Sequence, residues 1–403
     1  MENIKRIGEE ELKYVKEVLE SEFRSSKGCN MLKRTEDFFS KKTGIKFSIG
    51  HINGTATLHS ALYAAGVRPG DEVIVPPLTM AATTMAVLHQ DAVPVFADVK
   101  EDTFQIDAQS VEKLVTPRTK AIITVALYGL SPEMNDIMEI AKKHDLVVIE
   151  DDAQCFMGKY KNKIVGSLGH MSSFSFQSSK QITSGEGGMV CTNDLNLAER
   201  VRKFSVLGYA GVSAKKGKIL KDDIQNPNYD RHVMLGYNYR MPVLCAATVL
   251  GQLEHADELV NRRIDVANLF LSAMKGCSWL VPQKTPKHGV NVYWSLAARL
   301  VHPKIRWADF RKKFMELGGD GIYAAWKLTY LEPMFQKMDF SGKEKIIENL
   351  YKGKLQKYRK GLCPVAEKIQ PQILAFKTNY WDWQRAEKQA KILKETINFY
   401  DKR

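Results

Sequence analysis

The sequence predicts a mixed α/β protein whose main sheet is mostly parallel and flanked by helices, followed by a smaller C-terminal α/β domain. Between about residues 45 and 195, apolar segments of strand length recur, and most are separated by segments of helical periodicity. The apolar segments are nearly continuous rather than alternating, as expected for strands that are buried on both faces. The length of 403 residues also exceeds what one small core usually organises.

Six apolar segments predict the strands of the main sheet. They are DEVIVPP (71–77), VPVFADV (93–99), KAIITVALYG (120–129), DLVVIEDDAQ (145–154), SSFSF (172–176) and GMVCT (188–192). Helical periodicity separates most of them, for example in residues 56–66 and 133–145. Sheets of this kind bind ligands at the carboxyl ends of their strands, so the residues that follow each strand are the first candidates for function.

The composition changes after residue 254. Residues 245–275 predict one long helix, and a strand over 290–301, a helix over 307–319 and a final helix from about 382 follow it. We therefore predict a large domain over residues 1–254, which includes an N-terminal helix, and a smaller domain over residues 255–403.

Several features predict a soluble cytoplasmic protein. The start of the chain, MENIKRIGEEELKYVKEVLESEF, predicts an amphipathic helix and not a secretory signal. No segment approaches the roughly 18 uninterrupted apolar residues of a membrane span. The six cysteines are scattered without a CxxC or Cys/His pair, which is typical of reduced thiols and argues against a disulfide framework or a metal site.

The chain is strongly basic, with a formal charge of +13. Much of the excess lies late, because residues 351–403 hold 13 Lys and Arg against 5 Asp and Glu. Clustered cations bind nucleic acid by neutralising its phosphates, but a positive field also attracts anionic substrates to an enzyme. No arginine-rich arm, helix-turn-helix pattern or RNA-binding motif accompanies the charge. We therefore expect anionic small molecules as partners and no nucleic acid.

Two motifs lie at predicted strand or helix ends. NGTAT (53–57) precedes a helix in which Thr55 is a candidate cap, and a Gly-Thr pair at a helix N-terminus offers N–H groups and a hydroxyl to a phosphate. A plain capped helix has the same pattern. VVIEDDAQ (147–154) ends a strand with two carboxylates and an amide, which suit either a protonated cofactor ring or an ordinary acidic turn.

Lys180 lies between a Ser/Gln-rich run and a Gly-Glu-Gly-Gly turn in FSFQSSKQITSGEGGMVCT (174–192). A lysine amine forms a Schiff base only when it is unprotonated, which requires a pKa lowered by burial or by nearby positive charge. The absence of an adjacent carboxylate before Glu186 favours such a lysine. Most lysines are solvated surface groups, so only the combination with other motifs favours the catalytic interpretation.

The combined motifs resemble the DegT/DnrJ/StrS family of sugar aminotransferases, which are pyridoxal-phosphate enzymes of the aspartate-aminotransferase fold. The resemblance runs from about residue 8 to the C-terminus and rests on seven segments in the family's order and spacing. They are NGTATLHSAL, GDEVIVPPLT, ADVKEDTFQID, TKAIITVALYG, VIEDDAQ, FSFQSSKQITSGEGG and GYNYRM.

The resemblance assigns the chemistry to particular residues. It implies that Lys180 is the Schiff-base lysine and, once released, the base that moves a proton between substrate and cofactor. Asp151 matches the aspartate that pairs with the pyridine nitrogen, and Gln154 matches the contact to the cofactor's phenolic oxygen.

The phosphate-binding positions of the family fall on three further residues, Gly54, Thr55 and Ser175. Asn238 in GYNYRM matches an asparagine that reaches the phosphate from the partner subunit. The resemblance therefore implies a homodimer with shared active sites.

Three positions depart from the family pattern. Met80 stands where an aromatic residue usually stacks on the pyridine ring, and we keep it as a cofactor contact because a thioether also packs on a ring. Ala126 replaces a usual histidine, which implies the loss of a polar group near the sugar. His170 stands where an acidic residue is common, and we interpret it as structural.

Three other residues, Tyr128, Glu186 and Trp326, are candidates to line the sugar pocket. An aromatic residue in the smaller domain, however, is more often part of a core than a ligand contact.

The resemblance implies an aminotransferase that moves an amino group from L-glutamate to a keto-sugar, expected to be nucleotide-linked, with pyridoxamine phosphate as the intermediate. Two alternatives stay open. One is a different pyridoxal-phosphate reaction on sugars, such as dehydration, or amino transfer to a cyclitol or free sugar. The other is a non-catalytic regulatory relative. Dehydratase relatives carry histidine in place of the lysine, so Lys180 favours amino transfer.

Overall fold

The computed structural model describes residues 1–217, 225–338 and 358–402. Its main sheet has seven strands in the order β1–β9–β8–β5–β4–β2–β3. Their bounds are β1 Phe47–His51, β2 Glu72–Val75, β3 Val93–Phe96, β4 Thr119–Val125, β5 Val147–Asp151, β8 Met171–Ser175 and β9 Gly188–Thr192. Only β9 runs antiparallel to its neighbours, so the mostly parallel sheet is confirmed. Each of the six predicted strand segments matches one strand, although β4 and β8 begin one residue earlier than predicted, whereas β1 was not predicted.

Helices flank this sheet, as predicted for strands buried on both faces. In the first half of the chain they are α1 Glu9–Glu20, α2 Met31–Thr43, α3 Gly54–Ala64, α4 Ala82–His89, α5 Ala108–Leu114, α6 Met134–His144 and α7 Leu195–Ser205. Successive residues of β9 belong to different cores. Val190 packs in the cluster that contains α3, whereas Met189 and Cys191 pack in the cluster that contains α1 and α2.

The C-terminal part forms a second sheet with its own core. Strands β10 Leu280–Pro282, β12 Ser295–Leu300, β13 Ile322–Ala324 and β14 Ile373–Lys377 pair antiparallel in the order β10–β12–β14–β13. The helices of this part are α8 Val243–Glu254, α9 Ala256–Met274, α10 Trp307–Glu316, α11 Pro333–Lys337, α12 Pro364–Ile369 and α13 Trp383–Asp401. A separate apolar cluster extends from Val266 to Ile397.

The division of the chain at residue 254 stays a prediction. Leu259 and Val260 of α9 still pack in the core that contains α1, while Val266 and later residues of α9 pack in the C-terminal core. Residues 339–357 and 403 of the predicted smaller domain, with part of its basic excess, lie outside the described residues.

The single helix predicted over residues 245–275 is wrong, because two helices meet at His255. This residue leaves helical geometry, with φ −114° and ψ 22°. Its ring Nε2 lies 2.7 Å from Glu11 Oε1. Burial raises the pKa of Glu11, but the hydrogen bonds from His255, Gln252 and the backbone outweigh it and lower the pKa to about 2. A contact with α1, which is distant in the sequence, accompanies this break in the helical periodicity.

A short sheet connects the two parts of the chain. It contains β6 Lys159–Tyr160, β7 Lys163–Ile164 and β11 Gly289–Val290, in the order β11–β6–β7. Within the described ranges, no helix has both the length and the apolar character of a membrane span. All six cysteines are free thiols, as predicted.

Candidate active site

The candidate site lies where β5 and β8 end. These two strands are parallel neighbours, and Asp151 at the end of β5 pairs with Ser173 of β8. The chain then forms a loop between β8 and β9, in which the N–H of Lys180 donates to the carbonyl of Gln177 over 2.9 Å. Parallel pairing therefore brings Asp151 and the Lys180 loop to one edge of the sheet.

The amine of Lys180 is unusually acidic for a lysine. Burial is the largest cause and, together with the positive charge of Arg263, lowers its pKa from 10.5 to about 8, against the opposing effects of Asp151 and Glu186. With a pKa of about 8, roughly a tenth of the amine is unprotonated at pH 7, against less than about a thousandth for an ordinary lysine. The side chain is thus suited to nucleophilic and base chemistry.

Asp151 is a buried carboxylate with a dedicated donor. The hydroxyl of Thr83 donates to Asp151 Oδ2 over 2.7 Å, and the N–H of Ala153 donates to Oδ1 over 3.3 Å. Burial raises the pKa of Asp151, while these hydrogen bonds and the charge of Lys180 lower it. A buried acceptor of this kind fits a protonated ring nitrogen.

The three predicted phosphate-binding residues lie close together. A Cβ atom added to Gly54 would lie 3.0 Å from Ser175 Cβ, so the start of α3 and the end of β8 approach as closely as a glycine allows. Thr55 is the second residue of α3 and lies beside them. The backbone N–H groups at this helix start, with the two hydroxyls, form a donor set that fits a phosphate.

Thr55 does not cap α3, and this expectation is wrong. The helix begins at Gly54, and the side chain of Asn53 accepts the N–H of Ala56 over 2.9 Å. The capping residue therefore lies two positions earlier, which leaves the Thr55 hydroxyl available to a ligand.

Gln154 is buried and its side chain is held in one orientation. Its Oε1 accepts the N–H of Tyr128 over 2.8 Å, and its carbonyl accepts Nε2 of Gln181 over 2.6 Å. In the described part of the chain, no hydrogen bond occupies its amide nitrogen, which fits a donor to an oxygen of a cofactor.

Met80 and Asn238 lie at the periphery of this arrangement. Met80 precedes α4 and is 51% exposed. Asn238 is also exposed and forms an isolated bridge with Val206. The predicted contacts of Met80 with the cofactor ring, and of Asn238 with the phosphate across a subunit interface, stay predictions.

A cavity of about 600 Å³ lies next to the Lys180 loop. Its lining consists of Tyr128, Ser179, Arg263, Trp294, Ser295, Tyr323, Ala324, Trp326, Ala375, Lys377 and Asn379. Two of the three candidates for a sugar pocket, Tyr128 and Trp326, are in this lining. Glu186 is not, because it lies exposed in the β8–β9 loop, where it acts on Lys180 only through its charge.

Three residues that sequence reasoning missed complete the site: Thr83, Trp294 and Arg263. The Lys180 Nζ atom lies 4.9 Å from the centroid of the Trp294 ring, and the indole N–H donates to the carbonyl of Ser179 over 2.9 Å. Thr83 had a local signal, since it is one of two adjacent threonines in an otherwise apolar helix start. Arg263 and Trp294 had none, because they come from the C-terminal half of the chain.

The other two departures from the family pattern are also located. The ring Nδ1 of His170 accepts the N–H of Val148, at the opposite end of β5 from Asp151, which agrees with a structural role. Ala126 is buried directly after β4, and its N–H donates to the carbonyl of Asp151 over 3.0 Å.

The mostly parallel sheet, the buried lysine and the buried aspartate fit the class of pyridoxal-phosphate-dependent aminotransferases. Residues 5–375 match the model of the DegT/DnrJ/EryC1/StrS aminotransferase family, and the chain belongs to this family. It is thus a pyridoxal-phosphate-dependent sugar aminotransferase of amino-sugar biosynthesis, as the sequence predicted.

Individual relatives agree with this assignment. The chain is 39% identical over 287 residues to a GDP-perosamine synthase of Escherichia coli O157:H7, which covers 71% of this chain and 74% of the relative. It is 38% identical over 300 residues to a GDP-perosamine synthase of Caulobacter vibrioides, covering 73% and 76%. Among solved structures, an aminotransferase from Psychrobacter cryohalolentis matches with a TM-score of 0.82 and 28% identity over 99% of this chain and 98% of that one.

Proposed function

We propose that this enzyme transfers an amino group from L-glutamate to a nucleotide-linked keto-sugar, with Lys180 as its catalytic amine. One observation carries the assignment of Lys180: burial beside Asp151 and Arg263 gives this lysine a pKa of about 8 at the edge of the sheet. When bound, pyridoxal phosphate supplies an electron-accepting ring for the charge that develops when the α-proton of the amino acid leaves. Lys180 holds the cofactor and then moves the proton.

The surrounding residues hold the cofactor in this proposal. Asp151 accepts a hydrogen bond from its ring nitrogen and keeps that nitrogen protonated. Gln154 donates to its phenolic oxygen, and Met80 packs on its ring. The phosphate takes the N–H groups of Gly54 and Thr55 and the hydroxyls of Thr55 and Ser175, and a side chain at position 54 would crowd Ser175.

The cavity next to Lys180 is proposed to take the sugar substrate. The rings of Tyr128 and Trp294 are nearly parallel, at 15° and 6.5 Å between centroids, and Trp326 lies 6.1 Å from Trp294. Aromatic faces pack against the C–H surfaces of sugars. Of the two cations in the same lining, Lys377 pairs with Asp320 over 3.3 Å, so Arg263 is the one whose charge favours an anionic substrate. The GDP-linked product named for two relatives and the basic charge of the chain support a nucleotide-linked sugar.

A homodimer is part of the proposal. Asn238 belongs to a surface segment with large exposed apolar side chains, namely Val233, Leu235, Tyr237 and Leu244. Such a patch is typical of a subunit interface, and a second copy on this face would bring its Asn238 to the phosphate site. We also propose a cytoplasmic location, where nucleotide-linked sugars are made.

The first test is the replacement of Lys180. We expect Lys180→Ala to lower amino transfer by at least about 10³-fold, because both the cofactor link and the proton carrier are lost. Lys142→Ala, on the exposed face of α6, is the matched control and should keep full activity. Full activity of Lys180→Ala would contradict the proposal.

The substrate and the reaction type are tested together by a panel of nucleotide-linked keto-sugars with glutamate as donor. Mass spectrometry of the product separates amination from loss of water, because the two change the mass of the keto-sugar in opposite directions. Size-exclusion chromatography with light scattering tests the dimer, and Leu235→Glu should dissociate it.

A further inference from the structure

Two arginines from distant parts of the chain bind the backbone that carries Lys180. Arg263 on α9 is only 1% exposed. Its Nη2 donates to the carbonyls of Ser179 and Lys180, both over 3.0 Å, and its Nη1 donates to the carbonyl of Trp294 over 3.0 Å. One guanidinium therefore joins the lysine loop to Trp294, the residue directly before β12.

Arg6, which precedes α1, binds the same loop. Its Nη2 donates to the carbonyl of Ser178 over 2.6 Å and to that of Lys180 over 3.1 Å. Its guanidinium lies 5.6 Å from the ring centroid of Trp381, and that of Arg263 lies 5.7 Å from the same ring. Three consecutive carbonyls, of residues 178–180, thus accept hydrogen bonds from two cations that share one indole.

Neither cation is neutralised by an acid. Among the ion pairs of the described residues, none includes Arg6 or Arg263. Within the described ranges, the Nε atoms of both side chains are buried without a hydrogen-bond partner. Burial and, to a smaller extent, the positive charge of Arg6 lower the pKa of Arg263 to about 9. An unpaired buried guanidinium is costly, and a neutral side chain would fill the same space at lower cost.

We propose that Arg263 and Arg6 are positioning residues for catalysis: both hold the backbone of the loop that carries Lys180, and the Arg263 cation also acts on the Lys180 amine. This inference rests on the proposed role of Lys180. Any hydrogen-bond donor could hold the carbonyls of the loop, whereas an effect on the proton of the Lys180 amine requires a positive charge.

The charges that act on Lys180 oppose one another. Asp151 on β5 and Glu186 in the β8–β9 loop favour the protonated amine, while Arg263 on α9 and burial disfavour it. Trp294, whose ring faces the amine, carries no charge. When the Arg263 charge is removed, less opposes the effect of the two carboxylates on the amine. The amine should therefore bind its proton more tightly, which raises its pKa.

The test measures the titration of Lys180 directly and not the activity. The full-length enzyme in its pyridoxamine phosphate form, in which Lys180 is free, is labelled with a trace of acetic anhydride across a pH series, and acetylation of the Lys180 peptide is quantified by mass spectrometry. In Arg263→Met we expect the midpoint to move to higher pH and labelling at pH 7 to slow by about three- to tenfold. Arg6→Met removes only hydrogen bonds to the loop carbonyls, so we expect a lowered kcat and a midpoint near that of the wild type.

Arg262→Met is the matched control. Arg262 is the neighbouring buried arginine, and it donates to the carbonyls of Glu2 and Trp381 instead of the Lys180 loop. Its replacement should leave the midpoint unchanged. Arg263→Lys keeps the charge without the planar fork, so we expect a midpoint near that of the wild type with kcat lowered by about tenfold.

Equal midpoints in the wild type and Arg263→Met would overturn the proposal, as would an equal shift in Arg262→Met. If Arg263→Met does not fold, Arg263→Gln, which removes the charge but keeps an amide donor for the carbonyls, provides the same comparison. The labelling midpoint does not depend on turnover. Full activity of Lys180→Ala would therefore contradict the proposed function, whereas unchanged midpoints beside an inactive Lys180→Ala would contradict only the role of the arginines.

Discussion

The hydroxyl of Thr83 donates to Asp151 Oδ2 over 2.7 Å, and both residues are buried. Thr83 lies in the first turn of α4, whereas Asp151 ends β5. A hydrogen bond to a carboxylate stabilises its charged form and lowers its pKa, against the burial that raises it. Thr83 thus helps to keep Asp151 ionised where the proposed function needs a negative charge.

We predict that Thr83→Val weakens the binding of pyridoxal phosphate by about five- to twentyfold, since a hydrogen bond to a charged group contributes about 1.5–3 kcal/mol and part of it is lost here. Thr83→Ser should keep most of the affinity. The measurement is a spectroscopic titration of the cofactor-free enzyme.

Thr84→Val is the control for this experiment. The adjacent Thr84 is equally buried, but its Oγ1 has no hydrogen-bond partner. The same isosteric change should leave cofactor affinity unchanged and should not lower stability. Equal losses in both variants would show that packing, and not the hydrogen bond to Asp151, explains the effect.

A second prediction concerns the close approach of α3 and β8. Gly54→Ala places a methyl group 3.0 Å from Ser175 Cβ, closer than carbon atoms normally pack, so the phosphate site must widen. We expect affinity for the cofactor to fall by about tenfold or more. Gly289→Ala is the control, because its added methyl meets only ordinary contacts at 3.5 Å or more. If Gly54→Ala binds the cofactor with wild-type affinity in the same titration, Gly54 does not belong to the phosphate site.

A third prediction concerns stability and pH. Asp152 is buried with Oδ2 unpartnered, and burial together with the charges of Glu150 and Asp151 raises its pKa. Burial also raises the pKa of Glu150 to about 7. Because both carboxyls bind protons more tightly in the folded state, their contribution to stability is present below about pH 4 and is lost as the pH rises towards 7 and above.

Asp152→Asn should therefore stabilise the protein at pH 8, by about 1–3 kcal/mol, and have less effect at pH 5. Urea denaturation at the two pH values measures this difference. Asp98→Asn is the contrasting variant, since both oxygens of Asp98 accept backbone N–H groups, from Val99, Val365 and Ala366. It should destabilise at both pH values. A loss of stability in Asp152→Asn at pH 8 would contradict the prediction.

A fourth prediction separates the two substrates. Trp326 lines the cavity and stands 6.1 Å from the Trp294 ring. If the cavity takes the sugar, Trp326→Ala should lower kcat/KM for the keto-sugar by about tenfold and leave the half-reaction with glutamate nearly unchanged. Stopped-flow measurement of each half-reaction distinguishes the two. An equal loss of rate in both half-reactions would show that Trp326 maintains the structure of the site and does not contact the sugar.

The parts of the site that were predicted share one property. Asp151, Ser175 and Gly54 each lie at the end of a strand or the start of a helix, and Lys180 follows such an end by five residues. Parallel strands meet at one edge of the sheet, so residues at their carboxyl ends come together whatever the details of the loops. This regularity makes their proximity predictable.

The parts that were missed depend on contacts between distant segments. The break in the helix at His255 coincides with its pair with Glu11. The hydrogen bonds that hold the Lys180 loop come from Arg6 and Arg263. In the sequence, His255 lies in a pattern that predicts one continuous helix, and Arg263 is one of many basic residues. Neither carries a local signal, because its partner is more than 80 residues away.

The sequence by itself determined the sheet, its flanking helices, and the identity of the lysine and the carboxylate at its edge, since burial periodicity and strand ends are local properties of the chain. Only the tertiary structure decided which side chains surround that lysine and how easily it loses its proton. Burial and the charges of Asp151, Glu186 and Arg263 act through space, so the acidity of Lys180 exists only once the chain has folded.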